Sequence, residues 1–551
     1  MDIQRLILFF IFSFSLLLLW EAWQKETRPS PAPAAVVQPL QALPAPSKTA
    51  PPGPVAAAPA PSVAVPPAEA GAVAKGQQRL RVTTDTLLVE VSTLGGDITH
   101  LELLRNKDTA DKTRNVTLFG AEHRYAAQSG LIGADLPNHK TLYTASPGDT
   151  TLAPGKDSLS VRLEAAAPNG VKVAKILTFH RGSYLIDVVH EIRNESSAPL
   201  AAHAYFQLTR DGKSPPGEQA MVSTFTGPAV YNVHDKYVKV SFSDIDKGKV
   251  PYSKSADNGW IAMVQHYFLS AILPPEQQTR EFFTRKLADD FYSAGVILPL
   301  APIASGATGK VWVSLYAGPQ EQDKLKVIAP GLEHVVDYGW LTVIAAPLFW
   351  VLQMFHGLVG NWGVAIILLT IVIKLIFFPL SAASYKSMAK MKLVTPRLQR
   401  LREQYGDDRA KLNQAMMELY KTEKINPLGG CLPIVVQIPV FIALYWVLLA
   451  AVELRHAPFY LWITDLSTED PWYVLPALMM ASMLVQTKMN PTPPDPVQAK
   501  VMMIMPFAFG FMFFFFPAGL VLYWVVNNIL SIAQQWQITR MIGDGQAPAR
   551  R

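Results

Sequence analysis

The stretch Leu368–Leu380, LLTIVIKLIFFPL, decides how the chain is read. Twelve of its thirteen residues suit a lipid bilayer, and the other is Lys374. A cation at the centre of a spanning helix costs roughly 2.5–3.5 kcal/mol on insertion scales. No Asp or Glu lies in Leu428–Leu449, Trp472–Thr487 or Val501–Gln537, so the other apolar segments offer no counter-ion. Two readings stay open. Lys374 is five residues from Pro379, so its stem can snorkel to the cytoplasmic interface. Alternatively it lines a water-filled cavity, open to the cytoplasm, and awaits an anion.

Other polar residues fit the second reading. Thr370 lies at i−4 from Lys374, on the same helix face. Gln437 stands between Pro433 and Pro439, which remove backbone donors and bend a helix. Asn527 and Asn528 interrupt the last apolar segment. Each alone suits a helix–helix hydrogen bond. Together with an uncompensated lysine they outline a shared polar interior.

The rest of the 551 residues falls into contrasting segments. Residues 1–25 hold the uncharged run Leu6–Trp20, the length of a signal-peptide core. No small-residue cleavage site follows, and Trp20 and Trp23 suit a retained anchor over Ile3–Trp23. Residues 26–77 are a Pro/Ala-rich linker: 13 of the 44 prolines lie in Pro29–Pro67, a semi-rigid tether of polyproline type. Residues 78–318 read in period two. TLLVEVSTLGGDI alternates Leu87, Val89 and Val91 against Leu88, Glu90 and Ser92. Asn169-Gly170 and Arg181-Gly182-Ser183 punctuate further strands. Short strands over such a length predict one large antiparallel β-sandwich. Its histidines and acids show no metal or catalytic spacing. The sole cysteine, Cys431, excludes an intramolecular disulfide and a thiol–metal cluster.

Residues 319–360 read as an amphipathic, interfacial helical segment. Residues 361–380 form the second span, and 427–540 hold the apolar segments Leu428–Val452, Trp472–Thr487, Val501–Phe516 and Gly519–Gln537. Residues 381–426 carry ten basic residues against five acids, which marks a cytoplasmic loop. The loop after Val452 is acidic and faces outward. Parity then allows a single crossing, Trp362–Pro379, between an external β domain and the basic loop. The segment Leu341–Gly360 is therefore interfacial or the outer approach to that span. Six spans result, with both ends cytoplasmic and a short tail at 541–551.

Within the basic loop Met388, Met391, Val394, Leu398, Leu401 and Tyr405 recur at helical spacing. Gly406 stops the run, and Asp407 or Asp408 caps a second helix with the stripe Leu412, Ala415, Met416 and Leu419. This is a helical hairpin kinked at Pro396. Its basic face, with Lys390, Lys392, Arg397, Arg400 and Arg402, suits anionic headgroups. The segment Val501–Phe516 is dominated by Met and Phe. That composition suits lipid contact, and equally a groove for many unrelated apolar helices, with Met502, Met505, Phe509 and Met512 as its surface.

Four stretches carry a resemblance: NPLGGCLPIVVQIPVFIALYW, MAKMKLVTPRLQRLREQYGDD, LGGDITHLELL and FPAGLVLYWVVNN. They look like the YidC family of bacterial inner-membrane protein insertases. The resemblance covers nearly the whole chain and is thinnest in the proline-rich tether. It implies an α-helical transmembrane bundle of six spans, five forming the core, with a periplasmic β-sandwich and a cytoplasmic hairpin. The core encloses a hydrophilic groove, closed to the periplasm and open to cytoplasm and lipid. Lys374 matches the family's positive groove residue, where many relatives carry Arg, and Lys is less suited to bidentate carboxylate contact. Trp524 stands where many relatives have Tyr. Substrate spans leave between the helices beginning near Leu428 and Val501, and the hairpin helps receive substrate.

The implied partners are nascent inner-membrane proteins, the Sec translocon, ribosome–nascent chain complexes met transiently, and membrane lipids. No sequence-specific nucleic acid binding, cofactor or metal is implied, and no catalytic residue. The implied location is the inner membrane of a Gram-negative bacterium. Two competing readings are a solute transporter or channel, which often shows internal repeats and paired intramembrane charges, and a membrane-anchored periplasmic enzyme acting through its sandwich. Neither repeats nor paired charges are visible in the chain.

Overall fold

The computed structural model describes residues 77–109, 111–215, 224–406, 408–423, 432–490 and 496–544. The expected N-terminal anchor, the proline-rich linker up to residue 76 and the tail beyond 544 lie outside them. The chain divides into a strand-built unit ending at Val336 and a helical unit that starts at Asp337.

Two nine-stranded antiparallel sheets make the first unit. One runs β1 (Arg79–Thr83), β2 (Leu87–Ser92), β3 (Ile98–Lys107), β5 (Ala126–Ile132), β10 (His203–Asp211), β17 (Phe291–Pro299), β16 (Arg280–Ala288) and β13 (Ser255–Ala256), with β4 (Asn115–Phe119) paired to β3. The other runs β12 (Lys236–Lys239), β11 (Gly227–Asn232), β14 (Trp260–Gln265), β15 (Phe268–Leu273), β18 (Thr308–Pro319), β9 (Leu185–Asn194), β8 (Val171–His180), β7 (Ser158–Ala166) and β6 (Thr144–Ala145). The period-two pattern has its expected cause: Leu87, Val89 and Val91 are buried while Leu88 and Glu90 are partly exposed. The turn between β8 and β9 falls at Arg181-Gly182-Ser183, and Gly182 takes the left-handed conformation, φ +67°. A one-turn helix, α1 (Phe242–Asp246), follows β12.

The facing sheets are tied by buried polar groups. Arg210 on β10 donates from Nη1 to Gln265 Oε1 on β14 at 2.9 Å. Lys175 on β8 is fully buried and donates from Nζ to the carbonyls of Gly95 at 2.5 Å and Ser129 at 3.1 Å. The LGGD turn is shaped for this lysine: a Cβ on Gly96, which has φ +62°, would meet Lys175 Cδ at 2.9 Å. Asp97 lies 4.0 Å from Lys175. Burial pushes the Asp97 carboxyl up and the Lys175 ammonium down. His190, also buried, shares a hydrogen bond with Ser129 at 3.0 Å.

The expected domain boundary at 318 moves. Gln320 donates from Nε2 to the carbonyls of Gln265 and Phe268 at 2.7 and 2.9 Å. The short helix α2 (Gln322–Ile328) and the following 3-10 turn (Leu332–Val335) bury Leu325, Leu332 and Val335. Trp260 donates its indole N–H to Pro330 O at 3.1 Å. Residues 319–336 therefore belong to the β unit, because the apolar stripe of this amphipathic stretch packs on strands.

The helical unit holds α3 (Thr342–Val359), α4 (Trp362–Ile376), α5 (Phe378–Tyr405), α6 (Arg409–Thr422), α7 (Leu432–Ala450), α8 (Val474–Met489), α9 (Pro496–Met512) and α10 (Ala518–Asp544). Gly360, φ +66°, closes α3, and the Asn361 side chain accepts from Val364 N to open α4. By length and composition α3 is able to cross a membrane; α4 with α5 passes the same test as a pair bent by 67°. The helices α8 and α9 are apolar and 16 and 17 residues long. Helix α10 packs against α4, α5 and α8; α9 packs on α8, and α7 on α3. The hairpin forms from α5 and α6, with Val394 and Leu398 buried against Met391, Met416, Leu419 and Tyr420. Pro396 sits inside one continuous helix, and Asp408 is the residue that caps α6.

Candidate functional site

Lys374 lies in the last turn of α4 and is 5% exposed. Its ammonium points across the bundle to α10, where Nζ donates to Ser531 Oγ at 2.7 Å. The Ser531 hydroxyl in turn donates to Asn527 O at 2.7 Å, the i−4 bond open to a serine inside a helix. Asn527 Oδ1 accepts from Gln437 Nε2 on α7 at 2.9 Å. Asn528 turns to α8, donating from Nδ2 to Ser482 Oγ at 3.1 Å. Lys374 thus heads a polar chain that crosses three helices.

Lys374, Gln437, Asn527, Asn528 and Ser531 line a cavity of about 240 Å³ with Ser381, Ser384, Tyr385, Met388, Gln486 and Asn490. Its apolar wall is Ile438, Phe441, Tyr523 and Trp524. None of the lining residues is acidic, and among the described residues Lys374 has no ion pair. An ammonium has three donors, and one hydroxyl occupies one of them. A buried charge so sparsely paired costs several kcal/mol unless water or an anion completes its shell. The cavity is large enough to hold either.

Four of the five expected groove residues meet here: Lys374, Gln437, Asn527 and Asn528. Thr370 does not. It is fully buried, and its hydroxyl donates to Ile366 O at 2.7 Å in its own helix. It lies one turn from Lys374 but does not line the cavity. Trp524 packs edge-on to Phe441 at 4.3 Å, and its buried indole N–H has no partner among the described residues.

The expected apolar surface on α9 is present in part. Met505 and Phe509 are exposed, while Met502 and Met512 are half-buried. Met503, Ile504, Phe507 and Phe511 are exposed too, so α9 is apolar over most of its circumference. Its small face is buried: a Cβ on Gly510 would meet Met480 at 2.8 Å. On the hairpin Arg397 pairs with Glu423, which leaves Lys390, Lys392, Arg400 and Arg402 as the rest of the expected basic face. Sequence reading missed Ser531, although it stands one turn beyond Asn527. It also missed Ser381, Ser384, Tyr385, Gln486 and Asn490.

Comparison with known proteins places this architecture. The family described as the YidC periplasmic domain matches residues 79–351, and the 60Kd inner membrane protein family matches residues 354–545. The chain is 59% identical over 553 residues to a membrane protein insertase YidC of Aromatoleum aromaticum, covering 100% of both chains. It is 60% identical over 546 residues to the protein so named from Dechloromonas aromatica, covering 99% of this chain and 98% of that one.

The chain belongs to the YidC family.

A solved structure of an active YidC insertase, with its first transmembrane domain resolved, covers 83% of this chain and 91% of its own at 19% identity and a TM-score of 0.38. Membership of the YidC family rests on the sequence relatives, whose match runs through both units. The β-sandwich is the part matched as the YidC periplasmic domain, and the polar cavity lies in the part matched as the inner membrane protein.

Proposed function

We propose that this protein is a membrane protein insertase that lowers the barrier for moving other proteins into the inner membrane. The observation that carries this reading is Lys374, a buried ammonium with one hydroxyl partner and no acid among the described residues, in a polar cavity among apolar helices. The cost of moving a polar segment into a bilayer is the loss of its water partners. A cavity of hydroxyls, amides and one cation supplies substitutes along the way. Acidic segments gain most, because the lysine offers them charge. The apolar span of the substrate leaves by α7 and α9, where the exposed Met and Phe side chains of α9 tolerate many sequences. Relatives of more than half identity over their full length are named insertases, which supports the reading. Insertion is non-covalent, so it calls for no catalytic residue, cofactor or metal.

The proposed topology has six spans: Ile3–Trp23, α4, α7, α8, α9 and α10. Both termini and the α5–α6 hairpin are cytoplasmic, and the sandwich is periplasmic. Charge parity makes α3 interfacial, or the outer approach to the span at α4, despite its apolar length. Lys390, Lys392, Arg397, Arg400 and Arg402 meet anionic headgroups and the incoming chain. Nascent inner-membrane proteins are the substrates, with the Sec translocon as collaborator and the ribosome as a transient partner.

The test compares two variants in vesicles, using substrates with acidic translocated tails. Lys374→Glu should slow insertion by about tenfold or more, about 1.4 kcal/mol in barrier, while Lys374→Arg stays near wild type. Equal insertion by both variants would remove the electrostatic role.

A further inference from the structure

The segment joining α7 to α8, residues 451–473, is folded, and two of its four acids point inward. Asp465 and Asp470 are both buried. Asp470 accepts from the Trp462 indole N–H at 2.9 Å and from the backbone N–H groups of Trp472 at 3.0 Å and Leu475 at 2.7 Å. Asp465 accepts from Ser467 and pairs with His456 at 3.0 Å. With its polar end satisfied inside, the Trp462 ring stacks on Trp472 at 5.7 Å.

Leu454, Ile463 and Leu466 are buried as well, while a second apolar set points the other way. The chain reverses at 459–463, where Phe459 N–H donates to Ile463 O at 3.0 Å and Ile463 N–H to Tyr460 O at 3.3 Å. Leu461 at the apex is 86% exposed, and Trp472 is 68% exposed, with Tyr460 and Tyr473 beside them. Leu461 and Tyr473 both take the left-handed conformation, φ +58° and +55°. Non-glycine residues avoid it, and it persists only where the surroundings impose it. The turn that carries Leu461 is fastened to the start of α4. Asn361 donates from Nδ2 to Phe459 O at 3.2 Å, and a Cβ on Gly363 would collide with the Phe459 ring. Backbone strain here holds apolar groups outward, the reverse of what water favours. A bilayer interface favours Trp and Tyr at headgroup depth. The patch also runs on into the apolar helices: the Tyr473 ring contacts Phe514 at 5.2 Å, and Leu478 on α8 is exposed.

We propose that the tip formed by Tyr460, Leu461 and Trp472 is a lipid anchor that inserts at the headgroup–acyl boundary of the outer leaflet. Because the tip is fastened to the start of α4, it sets the depth at which the helix carrying Lys374 sits. The leaflet rests on the topology proposed above; the lipid contact does not.

The test uses full-length protein with Cys431→Ser and Leu461→Cys, labelled with an environment-sensitive fluorophore and reconstituted in phosphatidylethanolamine–phosphatidylglycerol vesicles. The expected result is blue-shifted emission, lost with lipids spin-labelled near the headgroup and unaffected by aqueous iodide. Iodide quenching overturns the proposal. So does blue-shifted emission that spin-labelled lipid leaves intact, which marks a protein occupant. In parallel, Thr464→Cys on the same background is treated with an impermeant maleimide in spheroplasts and in inverted vesicles. Reaction in spheroplasts supports the outer leaflet. Reaction confined to inverted vesicles overturns the topology, and quenching at position 461 then still reports the lipid contact separately.

Discussion

At the scale of single residues, the state of the cavity turns on what surrounds one ammonium. Ser531 supplies the acceptor seen for Lys374. Ser531→Ala removes that oxygen, together with the hydroxyl's bonds to Asn527 O and Tyr385. Leaving a buried charged donor unmet costs about 1–3 kcal/mol or more, whereas an accessible water repairs most of the loss. In the hydrated groove proposed here, Ser531→Ala should cost less than about 1 kcal/mol, read from thermal unfolding in detergent. A larger loss would mean a dry pocket. Trp524 poses the complementary question, since its buried N–H lacks a partner among the described residues. Trp524→Phe deletes the orphan donor, so stability should hold within about 1 kcal/mol or rise. If insertion nevertheless falls while stability holds, the indole N–H contacts substrate; unchanged insertion would make it a packing residue.

At the scale of elements, the strands and the hairpin were legible because their periods are simple. Leu87, Val89 and Val91 fall inward as a strand requires, and Met391, Val394 and Leu398 meet Met416 and Leu419 as two helical stripes require. The centre of the cavity was legible for another reason: a lysine, a glutamine and two asparagines are conspicuous in apolar runs. Its rim was not. Ser381, Ser384 and Tyr385 lie just past the apolar stretch, where polar residues are ordinary. Their role depends on the 67° bend between α4 and α5: Pro379 marks the break, but not the angle that turns these residues toward Lys374. Residues 319–336 misled because an amphipathic stripe does not say whether it faces lipid or protein. The hairpin offers a test of how little holds it. Its core is two buried residues and their neighbours. Leu398→Ala removes about 2–5 kcal/mol in a full core, more than so small a cluster is able to lose and stay folded. Hydrogen exchange should accelerate across residues 385–422 and stay unchanged in α8 and α10. Retained protection in the hairpin would show that contacts beyond this cluster hold it.

At the scale of the molecule, the two units differ in what acid does to them. The β unit keeps His190 neutral: burial holds its imidazole well below the ordinary range. The unfolded chain protonates that histidine as pH falls through about 6.5, while the folded unit resists. Stability from this group is complete above about 6.5 and is lost progressively below it. Asp97 acts in the opposite direction. Its carboxyl is pushed up, so the folded unit binds a proton before the unfolded chain does and gains relative stability as pH falls. His139, whose imidazole burial pushes down to about 4, sides with His190. His203, also pushed down by burial, adds to them, and three histidines against one aspartate leave a net loss on acidification from about pH 6.5 toward 4. Each kcal/mol lost lowers the melting temperature of a domain this size by about 2–4 °C. The sandwich transition of the full chain should therefore shift downward with acid, and His190→Gln should flatten that shift. Asp97→Asn should steepen it, because the opposing group is gone. A melting temperature with the same pH slope in all three proteins would mean that water already reaches this interior and that the Lys175 cluster is no sealed core. A sandwich whose interior is set by buried titrating groups thus carries its acid sensitivity in the part of the chain proposed to face outward.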